Sequence, residues 1–118
     1  MKHRPQDICE RTFHFALQIV KACQKLDKKP GVNRTISQQL LRSGTSVGAN
    51  VEEAQAGQSR ADFISKCAIA LKESRETHYW LRLLKASKID FEQQDFLLQE
   101  AHEISRILGS IIKNTKAK

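Results

Sequence analysis

At 118 residues, 40% hydrophobic and 28% charged, with two prolines and five glycines, the chain can bury one core without a metal or disulfide and is too apolar for disorder. No stretch approaches the roughly 20 apolar residues of a membrane span, and the opening MKHRPQDICE holds no apolar signal core, so a cytoplasmic protein is expected. The formal charge of +7 is uneven: residues 1–29 carry seven Lys/Arg against three Asp/Glu and residues 60–88 the same, while 30–59 balance and 89–118 come to minus one.

The first predicted helix spans about 5–27. Pro5 suits a first turn, and Ile8, Thr12, Phe15, Ile19, Ala22 and Leu26 recur at alternating spacings of four and three. A second apolar row, Phe13, Leu17 and Val20, lies roughly opposite, which points either to self-association or to a wide core face. KKPGVN stops the helix, and Asn33 is a candidate cap for the next. Helix two, about 34–56, carries Ile36, Leu40, Ser43 or Gly44, Val47, Val51 and Ala54. Its Gly44 and Gly48 have small-xxx-small spacing that lets another helix come close.

Ser59 is the expected N-cap of helix three, about 60–87, ahead of Asp62 in the first turn. Phe63, Cys67, Ala70, Ser74, Thr77, Leu81 and Leu84 form its stripe, with Ile64, Ala68 and Leu71 beside it. Helix four, about 91–114, carries Leu97, Ala101, Ile104, Leu108 and Ile111. Strand-like alternation is absent. Four helices of similar length with short breaks predict a single all-α domain over 1–118, an antiparallel up-down-up-down four-helix bundle with left-handed crossing.

Residues for chemistry are sparse. Di-iron bundles need Glu-x-x-His pairs, whereas here Glu76 and His78 are two apart, as are Glu100 and His102, and His3 and His14 add no ligand spacing. Cys9, Cys23 and Cys67 contain no CxxC pair and read as small core residues. No phosphate loop or nucleophile motif is present, so no catalytic, cofactor or metal site is expected. The polar run KESRETHYW interrupts an apolar helix, and part of it must face inward. Arg75 shares a row with Ile64, Ala68, Leu71 and Arg82, and the expected network pairs it with Asn50 or Glu53. The basic surplus supplies candidate nucleic-acid contacts: Lys21, Lys25, Lys28 and Lys29 on helix one, and Lys66, Lys72, Arg82, Lys85 and Lys88 on helix three. A solvated basic face with no partner explains the same residues.

The stretch QLLRSGTSVGANVEEAQAGQSRADFISKCAIALKESRETHYWLRLL at 39–84 resembles the bacterial family called four helix bundle protein, which includes proteins encoded in intervening sequences of 23S ribosomal RNA genes. The likeness is carried by Ser46, Val47, Asn50, Val51 and Glu53, and by Glu73, Glu76, Thr77, Tyr79, Trp80 and Leu81. The resemblance implies an up-down bundle, a ring-shaped homopentamer and no known enzymatic activity. It is also similar to the accessory protein of diversity-generating retroelements, which implies RNA or DNA as a partner. The expectation is a non-enzymatic oligomeric scaffold binding nucleic acid through a basic surface. Its alternative is a purely structural or protein-binding oligomer with an unidentified protein partner.

Overall fold

A computed structural model describes residues 5–118, with side chains from Asp7 onward. Every element among them is helical: α1 Pro5–Leu26, α2 Val32–Gln55, α3 Arg60–Ala86 and α4 Gln94–Lys116. Helices of 22 to 27 residues are about 33–41 Å long at 1.5 Å per residue, which accounts for the 47 Å long axis beside short axes of 25 and 19 Å.

Each helix packs on two neighbours, in the order α1·α2, α2·α3, α3·α4 and α4·α1, and the α1·α4 pair touches least. Along every seam the numbering rises on one helix as it falls on the other. Cys23 meets Ser37 while Gly48 lies against Thr12; Ser43 meets Thr77 while Gly57 lies against Phe63; Lys85 meets Asp95 while Ser74 meets Ala101; Lys25 meets Glu92 while Arg11 meets Glu100.

The expected stripes are the core. Phe15, Ile19, Leu40, Val47, Leu81 and Leu108 have no exposed surface, and the partly exposed Ile36, Phe63 and Ile111 mark stripe ends. Gly44 and Gly48 mark the closest approach. A β-carbon at Gly44 would lie 2.8 Å from Ile19 Cγ2, and one at Gly48 would lie 3.2 Å from the Thr12 carbonyl oxygen. Only hydrogen at these positions lets α1 and α2 approach this closely.

The connections are where expectation and structure part. Ser59 caps α3 as expected, accepting the Asp62 N–H at 3.1 Å. Asn33 does not cap α2; Gly31, at φ 91°, stands at the cap and the helix begins at Val32. The Asp27 carbonyl of this connection accepts from the Arg34 guanidinium at 3.0 Å. At the end of α3, Ile89 N–H donates to the Leu84 carbonyl and Lys88 N–H to that of Lys85, a Schellman closure with Lys88 at φ 60° where glycine is usual. The Gln94 amide then donates to the Ile89 carbonyl at 3.0 Å, and α4 starts three residues later than its pattern suggests.

Candidate functional site

The polar run of α3 divides around the helix. Successive residues are 100° apart, so Glu73, Thr77 and Trp80 turn toward α2, whereas Ser74, Arg75, His78 and Arg82 turn toward α4. On the α2 side the Arg42 guanidinium donates to Glu73 Oε1 at 3.2 Å and to Glu76, whose Oε2 also accepts the Trp80 indole N–H at 3.0 Å. Below this, the Thr77 hydroxyl lies 2.7 Å from the Glu73 carbonyl and 2.9 Å from the Ser43 hydroxyl. On the α4 side the Ser74 hydroxyl lies 2.8 Å from that of Ser105 and donates to the Ala101 carbonyl at 3.1 Å.

The expected pairing of Arg75 with Asn50 or Glu53 is corrected. Asn50 donates its amide to the Ser46 carbonyl within its own helix, Glu53 is exposed, and Arg75 is exposed on the α4 side of α3. A polar network does cross from α2 to α3, buried at Ser43, Glu73 and Thr77 and open to solvent at Arg42, with the charges reversed: the arginine is on α2 and the carboxylates are on α3. The row shared by Arg75, Leu71 and Arg82 was read correctly, but it belongs to the other seam.

The candidate basic residues fall into three places. The α1–α2 and α3–α4 connections lie at one end of the bundle, where Lys25, Lys29 and Lys88 line a groove of about 540 Å³ with Asn33 and Phe91. Lys21 and Lys25 line a smaller groove beside it, with Glu92. Lys28 is in the α1–α2 connection, and Lys85 is in the last turn of α3. Glu92 pairs with Lys25 at 3.5 Å and Asp95 pairs with Lys85; among the described residues no ion pair involves Lys21, Lys28, Lys29 or Lys88. Lys66 and Lys72 lie apart from this end, farther down α3. Arg82 lines a third groove, of about 530 Å³, together with Arg75, His78, His102, Ser105 and Arg106. Its two imidazoles are tilted rings with centroids 6.2 Å apart. Burial, then Arg82 and His102, push the His78 imidazole below its ordinary value. Arg75 and Arg82 form a visible heptad pair, but nothing in one sequence reveals that His102 and Arg106 stand across from them.

The thiols are held back from chemistry. Burial pushes Cys23 and Cys67 up to about 11, against a smaller lowering at Cys23 from the Ser37 side chain, and Cys9 is raised by burial and then by Glu52 and Glu10. Among the described residues no three His, Cys, Asp or Glu side chains gather as a metal site, and no helix is long and apolar enough to cross a membrane. His3 lies outside the described residues.

Structure and sites thus define an all-helical bundle whose polar centre joins helices and whose charge lies at one end and along one groove. The family model described as 23S rRNA-intervening sequence protein matches residues 4–110, and the chain belongs to that family. A solved structure from Bacteroides thetaiotaomicron VPI-5482, described as a protein with unknown function from the S23 ribosomal protein family, is 43% identical, with a TM-score of 0.82 over 90% of this chain and 98% of that one. No curated protein matches.

Proposed function

We propose that the chain is a non-catalytic, cytoplasmic scaffold that assembles into a homo-oligomer, a pentamer by family resemblance, and binds RNA or DNA through its basic surface without reading sequence. The observation that carries this reading is the convergence of two connections at one bundle end, where, among the described residues, Lys21, Lys28, Lys29 and Lys88 take no part in ion pairs. Flexible ammonium groups suit phosphates and carry no base readout. Assembly multiplies this end by the number of subunits, and avidity follows.

Self-association is favoured by a separate feature. Phe13 and Leu17 on the outer face of α1 are 64% and 43% exposed, and Leu41 on the neighbouring α2 is 38% exposed. An apolar row opposite the core gains nothing from the fold of one subunit, so its natural cover is another protein surface.

Binding of a labelled RNA strand at 50 and 200 mM salt, with the mass measured by light scattering, tests both parts. Four phosphate contacts on a single strand give a slope of about −2.8 in log affinity against log salt, or a loss of roughly 50-fold across that range. Oligomers with no RNA binding at low salt support the alternative, a purely structural or protein-binding assembly whose cover is a further copy or a protein partner. A monomer refutes the assembly reading.

A further inference from the structure

The groove between α3 and α4 differs in kind from the lysine-rich end. Arg75 and Arg82 from α3 face Arg106 from α4, His78 and His102 lie between them, and no carboxylate lines the space. The acidic groups next to it in sequence stay out of the groove: Glu76 pairs with Arg42 on the α2 side, and Glu103 pairs with Arg106 at 3.5 Å. Guanidinium forks match the oxygens of a phosphate two at a time, which ammonium groups do not. The Ser105 hydroxyl is already engaged with Ser74 and the Ala101 carbonyl, leaving the arginines and imidazoles as the available donors.

Gly109 opens the floor. A β-carbon there would meet nothing within 4 Å, so the missing side chain is not required by packing and leaves the space between the helices open. Arg82 is one turn before Lys85 and close to Lys88, so the groove runs into the basic end. From Arg75 to Lys85 the helix rises about 15 Å, the rise of four to five stacked nucleotides of one strand.

We infer that this groove is where the backbone phosphates of a bound nucleic-acid strand are gripped, by Arg75, Arg82 and Arg106, and that protonation of His78 strengthens the grip. The inference rests on the nucleic-acid reading above and states where its tightest contacts lie. The charged and titratable groups facing His78 are Arg75 and Arg82 on its own helix and His102 and Arg106 on α4; α2 packs on the opposite side of α3, and α1 does not touch it. In the free protein the cations and burial keep His78 neutral at pH 7, and a phosphate placed among them reverses that balance. Affinity for RNA therefore rises as pH falls from 8 to 5.5.

The test is anisotropy of a labelled single-stranded RNA with the full chain, reading oligomer mass and helicity for each variant. Arg75→Gln with Arg82→Gln weakens binding about tenfold or more and lowers the salt slope by about two. Gly109→Leu, whose β-carbon meets no neighbour and whose remaining side chain enters the groove, weakens binding while mass and helicity stay unchanged. His78→Gln removes the tightening at low pH. RNA binding unchanged by Arg75→Gln with Arg82→Gln, but lost with Lys28→Gln and Lys29→Gln, overturns the groove and leaves the lysine-rich end standing. Displacement of inorganic phosphate by these groove variants with no effect on RNA overturns it as well, as does a polyglutamate peptide that competes with RNA at equal charge. A chain that binds no RNA at any salt overturns this inference and the proposed function together.

Discussion

Two glycines inside helices make a controlled comparison. Replacing either with alanine adds helix propensity worth about 1 kcal/mol. At Gly109 the added carbon meets nothing, so Gly109→Ala should stabilise the protein by about 0.5–1 kcal/mol. At Gly44 the same carbon would stand 2.8 Å and 2.9 Å from Ile19 Cγ2 and Cγ1, where carbon pairs normally keep about 3.5 Å or more. Ile19 is fully buried and cannot swing aside, so a shift of about 0.7 Å must pass into the α1·α2 seam. Overpacking of this kind costs about 1–3 kcal/mol, leaving Gly44→Ala neutral to about 2 kcal/mol destabilised after the propensity gain. At about 4 °C per kcal/mol the two variants should melt roughly 4–12 °C apart at equal protein concentration. The cause is isolated by urea unfolding in an Ile19→Ala background: with both γ-carbons gone and only the Cβ contact at 3.2 Å left, Gly44→Ala should become stabilising. Equal gains in Tm at both glycines, or a Gly44→Ala penalty that survives Ile19→Ala, would refute the close-approach argument.

Three further outcomes follow from the site geometry. Arg42→Met strands the nearly buried Glu73 carboxylate and should cost about 1–2 kcal/mol in urea unfolding, with much of the loss recovered by adding Glu73→Gln. Because His78 titrates lower in the folded protein than in the unfolded chain, its contribution to stability is complete above its ordinary value and lost as pH falls through the folded one. Thermal stability without RNA should therefore fall between pH 7.5 and 5, and His78→Gln should flatten that dependence. Cys23 and Cys67 at about 11 carry about a hundredth of an ordinary thiol's thiolate at pH 8 and are buried, so disulfide reagents should label them only on unfolding.

How much of this was legible in the sequence depends on whether a feature is periodic or relational. Stripes such as Ile8–Thr12–Phe15–Ile19 are fixed by the 100° step of the helix, and these residues are buried as read. Ser59 was readable because a cap acts within three residues, and Gly44 because it stands four residues from Gly48 in the spacing of a close helix approach. The Schellman closure at Lys88 was not readable, since a lysine occupies the left-handed position normally signalled by glycine. The partner of KESRETHYW was misassigned for a different reason. Period analysis places Arg75 and Glu73 on separate faces, but which face meets α2 and which meets α4 depends on how α3 is rotated in the bundle. The His78–His102 groove has the same origin: each histidine is unremarkable on its own helix, and only the α3·α4 register sets them together.

That register matters most where the ring of helices closes. The α1·α2, α2·α3 and α3·α4 seams each join neighbours in sequence, whereas α1·α4 joins the two ends of the bundle and makes the least contact. Arg11 spans it with a fork: Nε donates to Glu100 Oε2 at 2.7 Å and Nη2 to Oε1 at 2.8 Å, across 89 residues of sequence. The bond to Glu100 outweighs partial burial and raises the guanidinium above its ordinary value, so Arg11 stays charged at any working pH. Arg11 is 35% exposed, and solvent limits the pair to roughly 1 kcal/mol. Arg11→Lys keeps the charge and loses the fork, so the global midpoint should move little. Because this seam has the least packing to replace the lost bond, amide exchange should quicken first in the facing halves of α1 and α4, with α2 and α3 unchanged. Uniform acceleration across all four helices would show that the seam does not open by itself and that the fork adds only its share to a fully cooperative bundle.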